Sequence, residues 1–252
     1  MSARRRARPA HTRDVLNDQS RRTAVYPDTA LDDPVGASLR GRHAHLARRC
    51  GGALTYRAEV ATFASVGLDP DPGRWDELAR LLGRGELADM FSCPALPPDG
   101  WDPVFTLDGR QMVYAGGRET GPPPAGMVEL GAADVPEMLD LVARTQPGPF
   151  RPRTHELGTY LGVRVDGELV AMAGERLRPP GWTEISAVCT APRARGRGYA
   201  AGLVRALVAR IEARGDRPFL HVAESNTGAI AHYERLGFRT RRRLTFRGFR
   251  VP

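Results

Sequence analysis

The chain has 252 residues, 41% of them hydrophobic and 26% charged, with a formal net charge of +8. That balance excludes a fibrous or wholly disordered protein and is enough for two modest cores or one large one. No apolar run is long enough for a membrane span, and no apolar segment follows the basic N-terminus as a signal peptide requires, so no membrane association and a cytoplasmic location are expected.

All 37 basic residues are arginine, and residues 1–22 hold seven of them against Asp14 and Asp18, so the tail carries +5 and the remainder +3. Residues 1–24 lack apolar periodicity and are expected to be a disordered basic tail. Its charge is the one feature that favours nucleic acid, but it lacks interleaved aromatics for base stacking, so nucleic acid is not the expected partner. Cys50, Cys93 and Cys189 are few, odd in number and far apart, which fits neither a disulfide framework nor a zinc site. His43 and His45, two apart, point to different sides of a helix and are read as surface or packing histidines, so no metal is expected.

Asp33-Pro34 reads as a helix start, with Asp as N-cap and Pro in the first turn. Leu39 and Leu46 give that helix a face, and Gly51-Gly52 is expected to end it. Trp75, Leu78, Leu81 and Leu82 mark a second helix stopped by Gly83. In VFTLDGRQMVY, two alternating runs flank Asp108-Gly109, the signal of a hairpin. Residues 25–120 are thus expected to form a small N-terminal α+β unit. GPPPAG at 121–126 reads as a proline-stiffened linker.

Beyond the linker, 127–252 reads as a second unit. MVEL is a short strand and Asp134 to Arg144 a helix with Leu139 and Val142 among its apolar positions. TQPGPFRPRT is a proline-broken loop. TYLGVRVDGELVAMAGERL is a hairpin turning at Asp166-Gly167, and WTEISAVCT is a strand. Residues 198–214 form a helix with Leu203, Leu207 and Ile211 on one face, closed by Gly215. PFLHVA is a strand, 226–236 a helix, and FRTRRRLTFRGF a final strand or hairpin. The order β-α-β-β-β-α-β-α-β predicts a mixed α/β (α+β) fold, with a mixed central sheet flanked by helices.

The stretch TAPRARGRGYAAGL carries the chemistry. A strand enters a glycine-containing turn that opens directly into a helix, and the first helical amides have no internal partner. The helix dipole makes that end positive. Gly196 and Gly198 allow close backbone approach, and Arg193, Arg195 and Arg197 add charge, so a pyrophosphate is the natural occupant. The loop is neither a Walker loop nor a dinucleotide fingerprint.

AVCTAPRARGRGYAAGLVRALV resembles the cofactor motif of the GNAT superfamily of N-acetyltransferases, Gln/Arg-x-x-Gly-x-Gly/Ala, matched here by Arg193, Gly196 and Gly198. NTGAIAHYERLGF (226–238) resembles the family's second motif through Asn226, Ala229, Tyr233, Gly237 and Phe238. The resemblance covers residues 127–252 and implies a GNAT-like acyltransferase fold. The N-terminal unit resembles the degenerate acyltransferase-like half found in two-domain members.

By this resemblance the co-substrate is acetyl-CoA, lying between two splayed parallel strands that end at Thr190 and near Ala223. Backbone groups of Val188, Cys189 and Thr190 would pair with its pantetheine arm. Arg193, Arg195, Gly196, Arg197, Gly198, Tyr199 and Ala200 would surround the pyrophosphate, and Asn226 would cap its helix or bond the pantetheine. Tyr233 resembles the family's general acid; its other reading is a helix tyrosine packed on the sheet. Glu184 is the candidate base, with a pKa raised by burial, or else a glutamate paired with Arg176 or Arg178. Glu175 and Glu224 are its substitutes. Strict alternation would put Glu184, Ser186, Val188 and Thr190 on one face and Ile185, Ala187 and Cys189 on the other. Cys189, with no histidine near it in sequence, reads as a packing residue.

The implied reaction is acetyl transfer to the primary amine of a small molecule or peptide by direct attack in a ternary complex. The alternatives are another acyl group, a protein N-terminus as acceptor, or a non-catalytic CoA-binding protein. The arginines of TQPGPFRPRT and Arg239 to Arg243 are expected to flank the acceptor end and to favour an acceptor bearing a carboxylate or phosphate. The sequence says nothing of oligomeric state.

Overall fold

The computed structural model describes residues 28–117 and 121–252, and the expected basic tail, 1–24, lies outside them. Helix α1, Pro34–Arg40, starts as its sequence dictates: the Asp33 carboxylate accepts the Gly36 N–H at 2.9 Å and Pro34 opens the first turn. It ends sooner than expected. The chain forms a 3-10 turn at Ala44–Leu46 and then strands β1 (Ala47–Cys50) and β2 (Ala53–Tyr56), so Gly51-Gly52 is a hairpin turn and not a helix stop. Strand β3, Ala64–Ser65, completes a three-stranded sheet. Helix α2, Pro72–Leu82, closes at Gly83 as the sequence predicts, and Asp71 caps its start.

Strand β4 (Leu87–Met90) and strand β5 (Asp102–Tyr114) follow. The expected hairpin at Asp108-Gly109 is overturned: β5 runs straight through both residues, paired with later strands along its length. The glycine is there for another reason. A Cβ at Gly109 would lie 2.3 Å from the Phe246 ring, so the position is kept empty for an aromatic face lying flat on the sheet.

The remaining elements occur in the predicted order: β6 (Met127–Leu130), α3 (Val135–Thr145), β7 (Tyr160–Val165), β8 (Glu168–Glu175), β9 (Trp182–Thr190), α4 (Tyr199–Ala213), β10 (Arg217–Ala223), α5 (Thr227–Arg235) and β11 (Phe238–Arg250). The β7–β8 turn has positive φ at both Asp166 (51°) and Gly167 (82°), the tight geometry of a two-residue hairpin. The last segment is one long strand.

These strands form an eight-stranded mixed sheet in the order β4-β11-β5-β10-β9-β8-β7-β6, in which β9 and β10 are the parallel neighbours. Helices α3 and α4 pack on it, and Leu203, Leu207 and Ile211 of α4 are fully buried there. The expected boundary at 121–126 is crossed by the sheet, because β5 lies between β10 and β11. It is also crossed by a core in which Leu31, Val35, Leu39 and Phe63 pack with Leu157, Leu177, Trp182 and Phe219. Among the described residues, no helix is long and apolar enough to cross a membrane.

Candidate active site

The parallel ladder between β9 and β10 is short. It pairs Arg217 with Trp182, Pro218 with Thr183 and Phe219 with Glu184, and then stops. Beyond that point β9 keeps β8 and β10 keeps β5, and a cleft of about 870 Å³ opens between the two diverging strands. A β-bulge marks the departure. Gly174 pairs with Ser186 and Met172 with Cys189, so Ala173 alone faces both Ala187 and Val188, and Ala187 adopts φ 52°. A bulge bends its strand and shifts side-chain parity. The strict alternation expected along β9 therefore fails: Ser186 and Cys189, three apart, share a face.

At one end of the cleft the chain leaves Thr190, makes a 3-10 turn at Pro192–Ala194 and enters α4. Gly196 and Gly198 both have φ 77°, and a Cβ at either would meet nothing within 4 Å, so it is backbone conformation and not crowding that favours glycine. Among the described residues, the backbone N–H groups of 196 to 201 make no main-chain hydrogen bond, since α4's first internal bond runs from Gly202 N–H to the Gly198 carbonyl at 3.0 Å. Unpaired amides at a helix N-terminus suit an anion. With the open edge of β9 leading up to them, they fit a diphosphate joined to an extended amide-bearing arm.

Val188, Cys189, Thr190, Arg195, Gly196, Arg197, Gly198, Tyr199, Ala200, Asn226 and Tyr233 all line this cleft. Arg193 does not; its guanidinium pairs with Glu168 on the outer surface. Asn226 caps α5, its Oδ1 accepting the Ala229 N–H at 3.1 Å, which leaves its amide N–H groups for a ligand. Burial raises the Tyr233 pKa to about 12, so the phenol keeps its proton at any working pH. Its ring meets Phe238 edge-on at 6.0 Å. Burial also raises the Cys189 thiol, which agrees with the packing role.

Glu184 stands differently from the expected base. It is fully buried, does not line the cleft, and is held by Arg176 through bonds of 2.9 and 2.6 Å. His221 Nδ1 lies 2.7 Å from its Oε1. Burial works to raise its pKa, but Arg176 and His221 outweigh it and hold the carboxyl down at about 2. The pKa was expected to be raised; the sign is reversed because the Arg176 guanidinium, just past β8, and the His221 ring of β10 both reach the carboxylate. Glu175 is buried against Arg214, and Glu224 is paired with Arg110. All three candidate bases are thus committed to arginines.

The far end of the cleft is aromatic. Phe63, Phe91, Phe105 and Phe246 line it with Leu107, Arg176 and His221. Phe91 stacks on Phe63 at 4.5 Å and on Phe246 at 4.7 Å, and the Arg176 guanidinium lies 4.5 Å from the Phe91 ring centre. Gln146, Pro147, Gly148 and Pro149 line the cleft as part of the expected loop wall. The arginines expected at the acceptor end are elsewhere: Arg153 pairs with Glu156, Arg241 and Arg242 with Asp32, and Arg243 with Glu224. Sequence reading missed Asp89, which is the carboxylate lining the cleft among the described residues. Nothing in the short LADM segment marks it.

Residues 160–247 match the model of the FR47-like protein family. No curated protein matches the chain. Among solved structures, the chain is 40% identical to a Novosphingobium aromaticivorans protein assigned to the GNAT family of acetyltransferases; the match covers 88% of this chain and 98% of that one, with a TM-score of 0.79. It also shares its fold with a GCN5-related N-acetyltransferase from Kribbella flavida at 19% identity, covering 88% and 96% of the two chains, with a TM-score of 0.58. The splayed strands, the glycine turn and these likenesses define the class: the chain belongs to the GNAT family of acetyltransferases.

Proposed function

We propose that the protein is an acetyl-CoA-dependent N-acetyltransferase that acts on the primary amine of a small molecule or peptide. The observation that carries this reading is the joining, in one cleft, of unpaired amides at 196–201, an open β9 edge and the Tyr233 phenol. Bound acetyl-CoA supplies an activated acetyl carbonyl with a thiol leaving group. The amides of 196 to 201, with the side chains of Arg195 and Arg197, hold the diphosphate. The β9 edge from Ile185 to Thr190 holds the pantetheine by main-chain hydrogen bonds, with the Asn226 amide beside it.

Tyr233 keeps its proton at the phenol oxygen and delivers it to the departing sulfur. Glu184 takes no proton at neutral pH. It fixes Arg176 and His221 at the junction where the strands part. The reading is tested by calorimetric titration with CoA and by thiol release from acetyl-CoA in the presence of amines. Binding together with amine-dependent thiol release supports it, and absence of CoA binding overturns it.

A further inference from the structure

The aromatic end of the cleft is built on one face of the sheet by three strands. Pairing of β4 with β11 sets Asp89 opposite Gly248, and pairing of β11 with β5 sets Gly248 opposite Phe105 and Phe246 opposite Leu107. Two-residue periodicity then puts Asp89, Phe246, Phe105 and Leu107 on the same side. Two glycines make this floor possible. A Cβ at Gly248 would strike the Phe105 ring at 2.2 Å, as one at Gly109 would strike Phe246. Both rings lie flat where side chains would otherwise stand. Phe105 and Leu107 are 37% and 44% exposed, so the apolar surface continues to the cleft mouth.

Asp89 sits in this floor with 5% of its surface exposed. Its Oδ2 accepts the Thr62 hydroxyl at 2.6 Å. Among the described residues, Oδ1 accepts no hydrogen bond and no arginine pairs with this carboxylate. Arg176, whose charge acts on this carboxylate, spends its fork on Glu184. A buried carboxylate with an open oxygen among aromatic walls suits a cationic head on an apolar body.

We propose that this end of the cleft is the acceptor subsite, that it takes primary amines with an aromatic or aliphatic body, and that Asp89 binds the ammonium and accepts its first proton. This rests on the acetyl-transfer reading above. Once the ammonium has given that proton to Asp89, the nitrogen forms a bond to the acetyl carbon and the carbon–sulfur bond breaks. The sulfur takes a proton from Tyr233, and the amine's second proton replaces it. Asp89 returns its own to water.

A pKa of about 6 serves this task, being high enough to receive the proton and low enough to be ionised when the ammonium arrives. Burial sets it, against the Thr62 bond and the Arg176 charge. The other elements around the carboxylate bring Phe91 and Phe246, with His221 behind them, both its ring nitrogens hydrogen-bonded. A carboxylate-bearing amine meets only Arg176, which is already committed to Glu184, and a diamine's second ammonium finds no second carboxylate among the described residues lining the cleft.

The experiment compares 2-phenylethylamine, β-alanine and putrescine as acceptors for the full chain, with CoA affinity measured in parallel. Phenylethylamine is expected to lead in kcat/KM by about tenfold or more, as apolar complementarity gives. Phe105→Ala should cost it about tenfold while leaving CoA affinity unchanged. Asp89→Asn should lower its kcat/KM by about a hundredfold and remove the acid limb near pH 6. Equal or better turnover of β-alanine or putrescine, or an Asp89→Asn profile like the wild type, overturns the inference while acetyl transfer stands. Loss of CoA binding in the wild type overturns the underlying reading instead.

Discussion

Gln111 Nε2 lies 3.2 Å from His221 Nε2, and this contact fixes the imidazole's tautomer. The Gln111 amide cannot turn, because its Oε1 accepts an Arg241 N–H at 2.9 Å and its Nε2 donates to the Leu31 carbonyl at 2.9 Å. Towards His221 it only donates, so His221 Nε2 offers its lone pair and the ring proton sits on Nδ1, facing Glu184. The ring is neutral: burial lowers its pKa, and the pull of Glu184 does not overcome that. A line of polar groups thus runs from Arg176 through Glu184, His221, Gln111 and Arg241 to Asp32. It joins the N-terminal segment to the fork of the cleft.

Glu184 anchors that line, and its loss is expected to be costly. Glu184→Gln leaves Arg176 buried without a counter-charge, a destabilisation of about 3–5 kcal/mol. The folded pKa is about 2 against an ordinary 4.5, so the pair's contribution is complete above pH 4.5 and is lost as pH falls through 2. Urea midpoints at pH 7 and pH 3 check both points. The wild type's advantage over the variant should shrink at pH 3, and equal midpoints at pH 7 would refute the assignment.

Asp89 should show the opposite sign. Its folded pKa of about 6 exceeds the ordinary 3.8, so the carboxyl favours the folded state while protonated and disfavours it increasingly as pH rises from 3.8 through 6. Asp89→Asn retains an acceptor for the Thr62 hydroxyl and removes the charge. It is expected to be more stable than the wild type at pH 8 by roughly 1–3 kcal/mol, with the gap closing below pH 4. Thermal denaturation at the two pH values measures this independently of activity.

Tyr233→Phe removes the proposed proton donor and leaves the ring contact with Phe238 in place. A fall in kcat of about a hundredfold or more is expected, with the CoA dissociation constant within about twofold. Unchanged turnover would return Tyr233 to a packing role.

Gly198→Ala tests the turn. The position needs φ 77°, which costs a side-chain-bearing residue about 1–2 kcal/mol. Affinity for CoA is expected to fall by about tenfold as the amides lose alignment, with little change in the far-ultraviolet dichroism of the fold. Calorimetry on the variant decides it.

The parts of the molecule that sequence makes legible are those whose causes are local. The 196–198 turn, the α4 face and the Asn226 cap are written in neighbouring residues, and the structure has them where expected. Asp108-Gly109 misleads because the dipeptide's turn preference is overridden by strands on both sides and by the Phe246 ring. Gly51-Gly52 marks a break in either reading, and only the flanking pairing shows that strands meet there. The pairing of Glu184 with Arg176 is one of its two sequence readings, and the structure has it; His221, brought in from β10, is not legible there. Asp89 gains its meaning wholly from β5 and β11, and no pattern around it announces that.

The place of β5 bears on how the chain assembles. It is made early, yet both of its neighbours, β10 and β11, follow it by more than a hundred residues. Until they emerge it has two bare edges, and such edges invite pairing with strangers. The gap between β9 and β10 therefore cannot exist before β10 has emerged, and a gene fragment starting at residue 121 would lack the strand that separates β10 from β11. Such a fragment is expected to aggregate, and supplying the missing strand on a second polypeptide would be the natural way to rescue it.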